Sequence, residues 1–203
     1  MTTTQTPLIY QPTRYDCGPT TLINALRYLY SREELDPALE VAIYQRTLDD
    51  FNEQGELGKQ GTSHQAIRNV IRYFDGYGSA TGFPIHAYLL NGDSVLFRPG
   101  SAILAALADG AVGVARVWHN HDGHYILLTG IEDGRILVFD PSATEDTLDA
   151  DRIVAVDQPY RANRSVIPEV FNVNRMANYA LKNAQNADPT DPQIGEIGVI
   201  KRL

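Results

Sequence analysis

The sequence predicts an α+β fold, with a helical lobe over about residues 1–110 packed against an antiparallel β-sheet lobe over about residues 111–203. Three observations lead there. Before residue 110, apolar residues recur at helical spacing in several segments. From Ala111 onward, runs rich in Val and Ile alternate with short turns carrying Asp-Gly, the pattern of an antiparallel meander. Hydrophobic residues make up 43% and charged residues 21% of the 203, which suffices for a buried core and argues against a disordered chain. Helices first and strands afterward is the order of an α+β domain whose halves flank a cleft.

Each element has its own signal. Residues 1–16 are polar, contain Pro7 and Pro12, and are expected to be extended or looped. Leu22, Ala25, Leu26 and Leu29 share one helical face, so Thr20–Tyr30 reads as a helix. Pro19 suits its first turn, where a missing N–H costs nothing. Cys17 and Gly18 therefore fall at or just before a helix N-terminus. Asp36 can cap a second helix reaching Tyr44, with Pro37 in the first position. The glycine-containing stretch 47–61 reads as a loop. Thr62 or Ser63 can cap a third helix to about Phe74, with Ile67, Val70, Ile71 and Phe74 as its apolar stripe. Ile85–Leu90 and Ser94–Phe97 flank Asn91-Gly92-Asp93 and are expected to form a small hairpin. Ser101–Asp109 is a short helix closed by Gly110. The meander strands are Ala111–Trp118, Tyr125–Ile131 and Arg135–Asp140. Beyond Pro141 a strand is expected over Ile153–Val156, a helix over roughly Glu169–Ala184, a loop over Asp188–Gln193 and a last strand over Ile197–Lys201.

A net charge of −8 repels phosphate backbones, so nucleic acid is not an expected partner, whereas a peptide or amide substrate is compatible. No stretch approaches the roughly 20 apolar residues that cross a bilayer. The N-terminus lacks a basic region followed by an apolar run, and a cytoplasmic protein is expected. One cysteine forbids an intrachain disulfide and a zinc cluster of several thiolates. No cofactor and no metal are expected.

A lone cysteine is either a small buried hydrophobe or a nucleophile partnered by a histidine elsewhere. Placed at a helix N-terminus, the Cys17 thiol faces unpaired N–H groups and the positive end of the helix dipole, and both favour the thiolate. Asp16 opposes this, so a histidine must supply the rest. The histidines are His64, His86, His119, His121 and His124. His124 begins an apolar strand, where a rigid element fixes its ring. A tight turn centred near residue 132 or 133 places Asp140 nearly opposite His124, with Cβ atoms roughly 5 Å apart. A one-residue slip would send Asp140 to the other face, and Asp-Pro is also an ordinary turn signal. A carboxylate there would orient the imidazole, which would take the Cys17 proton. The Cys17 backbone N–H and the side-chain amide of Gln11 are candidate oxyanion donors.

These residues carry a resemblance. Gln11-Pro-Thr-Arg-Tyr-Asp-Cys17-Gly-Pro-Thr-Thr resembles the active-site segment of C39-like peptidases, within the papain-like cysteine peptidase superfamily. Asp122-Gly-His124-Tyr-Ile-Leu-Leu-Thr-Gly-Ile looks like the family's histidine strand, and Val138-Phe-Asp140-Pro-Ser like its Asp-Pro motif. The similarity spans roughly residues 8–142. It implies a papain-like fold, acyl transfer from a peptide or amide to Cys17 followed by hydrolysis, and a helical lobe with Cys17 facing a sheet lobe with His124 and Asp140. Well-known members are leader peptidases joined to membrane exporters that cut after paired glycines. This chain has no membrane span and no nucleotide-binding motif, so that specificity is not carried over. Gly18, Trp118 and Gly123 are candidate substrate-binding residues.

Three other readings compete. A transferase on the same scaffold would pass the acyl group to an amine or thiol. A non-catalytic peptide-binding module would keep the fold and lose part of the residue set, yet Gln11, Cys17, His124 and Asp140 are all present. His119, His121 and His124 form H-x-H-x-x-H, a sparse pattern for zinc that no helix-spaced pair or thiol supports.

Overall fold

The computed structural model describes residues 5–119, 122–142, 144, 147–173, 177–181 and 195–203. Helices α1 (Cys17–Leu29), α2 (Pro37–Arg46) and α3 (His64–Thr81) come first. Strand β1 (Ile85–Asn91), a 3-10 turn (Gly92–Val95) and α4 (Ala102–Ala108) follow. The chain continues through β2 (Val112–His119), β3 (Asp122–Glu132), β4 (Arg135–Phe139), β5 (Ile153–Gln158), β6 (Ala162–Val166), α5 (Pro168–Phe171) and β7 (Glu196–Arg202). The strands form one sheet in the order β1-β7-β2-β3-β4-β6-β5. The expected α+β class holds, and the arrangement is that of the papain-like fold.

The capping residues work as their chemistry dictates. The Asp36 carboxylate accepts the Ala38 N–H at 2.9 Å, with Pro37 opening α2. Ser63 Oγ accepts the Ala66 N–H at 3.1 Å, and α3 runs past Phe74 to Gly82, whose φ of 76° ends it. Ser101 caps α4.

Two apolar clusters lie on opposite faces of the sheet. One joins Leu22, Leu26, Leu39, Ile71 and Phe74 of the first three helices to Tyr125, Leu127 and Phe139. The other joins Ile103 and Leu107 of α4 to Ile126, Leu128, Val138 and Phe171. Alternation along β3 and β4 sends neighbouring residues to opposite clusters, as strand geometry requires.

Four expectations need correction. The hairpin over 85–97 does not form. Asn91 and Ser94 close a capping box around the 3-10 turn, Val95 is buried, and β1 pairs antiparallel with β7 instead. The division near residue 110 is accordingly crossed by the sheet, since β1 precedes it. A continuous helix over 169–184 does not form either. It stops at Phe171, and the Trp118 N–H and C=O are both taken by residues 179–180 at 2.8 Å. There the chain covers the part of the β2 edge that β7, paired only with 112–115, leaves open. Residues 174–176 and 182–184 of that expected helix, and the expected loop over 188–193, lie outside the described residues. Strand β6 carries no clear alternation and escaped sequence reading.

The fourth correction concerns register. The turn places Glu132 opposite Arg135, with Asp133 at φ 50° and Gly134 at φ 74°, the paired positive φ of a tight hairpin turn. Pairing proceeds through Ile131↔Ile136 and Gly130↔Leu137, then shifts to Leu128↔Val138 and Leu127↔Phe139. Thr129 is the extra residue of a β-bulge. Continuing that register opposes Asp140 to Ile126, so His124 lies diagonal to Asp140. Without the bulge the two side chains would stand on opposite faces.

Candidate active site

Cys17 is the first residue of α1 and is 8% exposed. Gly18 follows because nothing larger fits: a Cβ there would lie 2.7 Å from Thr62 Cβ. Asp16 does not cap the helix through its side chain. Its carboxylate accepts the Thr13 N–H at 3.0 Å and the Thr13 hydroxyl. The negative charge expected to oppose a thiolate is thus tied into the preceding loop, and the helix N-terminus stays open to the sulfur.

The His124 imidazole lies close enough to the sulfur for each group to shift the other's pKa. His124 Nε2 contacts Asp140 Oδ1 at 2.8 Å. Cys17, His124 and Asp140 are thus brought together, with Asp140 fully buried and His124 6% exposed. Burial pushes the thiol up, but the hydrogen bond and charge of His124 outweigh it, and the N–H groups of Tyr125 and Gly18 help, so the thiol lies below its ordinary value. Burial opposes the imidazolium, yet Asp140 and Cys17 raise it to about 10. Burial likewise opposes the Asp140 carboxylate, while His124, Tyr179 and the Ser142 N–H hold it well below the usual carboxylate range. Each shift favours the charged form, which is the condition for a stable thiolate–imidazolium pair.

Two residues that sequence reasoning missed hold Asp140. Asn163 of β6 accepts the Asp140 N–H at 2.8 Å and donates to the Asp140 carbonyl at 2.7 Å. Tyr179, fully buried, donates its hydroxyl to Asp140 Oδ2 at 2.5 Å. Neither sits in a motif, so no local signal marks them. Asp140 also accepts the Ser142 N–H at 2.8 Å, so the ordinary Asp-Pro turn role and the contact to His124 coexist.

Gln11 is placed by its backbone. Its N–H donates to the Pro141 carbonyl at 3.0 Å, and Asn24 of α1 pins neighbouring Ile9 through two bonds of 2.9 Å. The side-chain Nε2 donates to the Thr13 carbonyl at 2.9 Å. Gly123 lines a pocket beside Cys17, whereas Gly18 is buried and Trp118 does not line it. The His119 ring lies 4.7 Å from that of His124, centroid to centroid. His121 lies outside the described residues. The Nε2 of His124 is taken by Asp140.

A thiol at a helix N-terminus against a strand-borne, carboxylate-held imidazole is the arrangement of papain-like cysteine peptidases, and this protein is an enzyme of that hydrolase class. The sequence model of the Peptidase_C39 like family matches residues 3–166, and the chain belongs to that family. No curated protein sequence matches it. Among solved structures it is similar to a putative C39-like peptidase from Bacillus anthracis, with 15% identity, a TM-score of 0.51, and 97% of this chain and 94% of the other covered. It is also similar to a double glycine motif protease from the AMS/PCAT transporter in complex with the leader peptide, at 11% identity and TM-score 0.44, covering 97% and 91%. The peptidase domain of Streptococcus ComA aligns at 20% identity and TM-score 0.38, covering 66% and 78%. Among the described residues, no helix is long and apolar enough to cross a membrane.

Proposed function

We propose that the protein cleaves a peptide or amide bond through a Cys17–His124–Asp140 triad and an acyl-thioester intermediate. The observation that carries this reading is the 2.8 Å contact of the imidazole with a buried carboxylate beside Cys17, with Cys17 lowered and His124 raised by each other. The Cys17 thiolate attacks the carbonyl carbon, forming the C–S bond and moving an electron pair onto oxygen. Collapse of that adduct breaks the C–N bond, and the amine leaves with the His124 proton. Neutral His124 then takes a proton from water. The hydroxide adds to the thioester, the C–S bond breaks, the acid product departs and the ion pair is restored.

The oxyanion is held by the Cys17 backbone N–H and by Gln11. An amide nitrogen carries two hydrogens, and the bond to Thr13 uses one, which supports a role for the other. One such donor contributes about 3 kcal/mol to the barrier.

Alkylation of Cys17 by iodoacetamide across pH tests the ion pair. Wild type is expected to react fast below pH 7. His124→Ala leaves a buried thiol with no counter-charge, so its profile should move above that of an ordinary thiol with pKa about 8.5. Superimposable profiles would sink the proposal.

A further inference from the structure

The pocket beside Cys17 has a volume of about 220 Å³, below the ~300 Å³ of small-molecule sites, and so suits one side chain. Its lining is rich in cations for an acidic chain. Arg14, Lys59 and Arg116 line it and balance Asp50, Asp122 and the Cys17 thiolate, where the whole chain carries −8. Among the described residues none of the three cations forms a salt bridge. Arg14 and Lys59 lie over the Tyr15 ring, 4.9 and 5.5 Å from its centroid. Arg116 Nη1 donates to His64 Nε2 at 2.7 Å, which leaves most of the guanidinium hydrogens unused.

Arg116 is built in. It pairs across the β2–β3 ladder with Tyr125, so both side chains stand on one face. Its guanidinium lies against Gly123, where a Cβ would approach within 2.3 Å, so the glycine before His124 is what makes room for it. Tyr125 also lines the pocket, and its hydroxyl, on a residue only 3% exposed, is buried and has no hydrogen-bond partner. A buried hydroxyl without a partner beside a guanidinium that makes one hydrogen bond, to His64, and no salt bridge among the described residues points to a missing acceptor.

We propose that this pocket receives a carboxylate of the substrate, with Arg116 as its anchor and the Tyr125 hydroxyl as a second donor. The preferred substrate then carries Asp or Glu, or a free C-terminal carboxylate, next to the scissile bond. This inference rests on the peptidase reading above and adds the substrate's charge to it.

Two measurements test it. The first compares alkylation of Cys17 by iodoacetate and by iodoacetamide at pH 9. In each, sulfur forms a bond to carbon and iodide leaves, so the reagents differ mainly in the carboxylate. The rate ratio of iodoacetate to iodoacetamide is expected to fall about fivefold in Arg116→Gln. It should fall less in Tyr125→Phe, a milder change that guards against misfolding of the first variant. A ratio that neither substitution moves overturns the proposal, whether or not Cys17 is reactive at low pH. The second uses a peptide library in free-acid and amidated forms, with cleavage products read by mass spectrometry. Enrichment of Asp or Glu at one position, lost in Arg116→Gln, supports a side-chain carboxylate. Enrichment confined to the free-acid peptides and lost in the same variant supports the terminus. No acid preference, or one that survives Arg116→Gln, overturns the proposal.

Discussion

The catalytic proposal turns on how a few polar atoms are made to share a dry place. Asp140 is buried, which alone would neutralise it, yet four donors converge on it: the His124 ring, the Tyr179 hydroxyl, the Ser142 N–H and, on its backbone carbonyl, Asn163. Tyr179 touches no reacting atom and acts as a positioning residue. Tyr179→Phe is expected to lower kcat about tenfold with KM nearly unchanged, because the carboxylate loses the Tyr179 donor that helps to hold it in place. The same variant should unfold in acid at a higher pH. Asp140 stabilises the fold above its ordinary value of 3.8, and that contribution is lost as pH falls through its depressed folded value. Removing a donor raises that folded value, so the loss comes earlier. The opposite sign applies to His124, raised from 6.5 to about 10. Its contribution is complete below 6.5 and disappears as pH climbs through about 10. Acid and base titrations followed by circular dichroism read both limbs. An unchanged acid midpoint in Tyr179→Phe would remove Tyr179 from this account.

Among the secondary elements, the β3–β4 hairpin carries the most consequence. A strand offers side chains to alternate faces, so the relation between His124 and Asp140 depends on whether the ladder between them counts even or odd. Glu132↔Arg135 pairing would set them on opposite faces, and the bulge at Thr129 restores the common face. Gly130 accommodates the bulge at φ 152°, a conformation that side-chain-bearing residues rarely adopt. Deleting Thr129 should therefore preserve the hairpin while separating imidazole from carboxylate. The expected outcome is a folded protein whose Cys17 alkylates with a profile shifted toward that of an ordinary thiol. A deletion variant with a wild-type profile would refute the role given to the bulge.

For the chain as a unit, the order β1-β7-β2 means that the last strand is inserted between elements from the first part of the chain. Ile197, Val199 and Ile200 are fully buried, and Gly198 lets Ile71 of α3 approach within 2.8 Å of where a Cβ would sit. The family match ends at residue 166, but the fold does not. A chain ending at 166 would leave β1 without its sheet partner, expose the β7-facing edge of β2 and lose Tyr179. It is expected to be unfolded or aggregated, lacking the dispersed amide signals of the full chain in an NMR spectrum. A native-like spectrum from that fragment would show that β7 is dispensable.

The parts legible in the amino-acid order were those set by local chemistry. Cys17 follows an extended segment and precedes Pro19 in a first turn, so its place at a helix N-terminus follows from backbone preference alone. His124 and Asp140 stand out because each flanks an apolar strand next to a turn residue. The Ser63 and Asp36 caps were equally readable. Other features depend on which distant segments meet. The bulge that aligns His124 with Asp140, the β1–β7 pairing in place of a hairpin, and the arrival of Tyr179 and Asn163 at Asp140 arise from long-range packing. A tyrosine in a polar tail and an asparagine in a weakly alternating strand look like solvated residues until the sheet edge and the buried carboxylate give their polar atoms partners. Helical periodicity and capping are written within a few residues, whereas register and burial are properties of contacts across tens of residues, and those exist only in the folded chain.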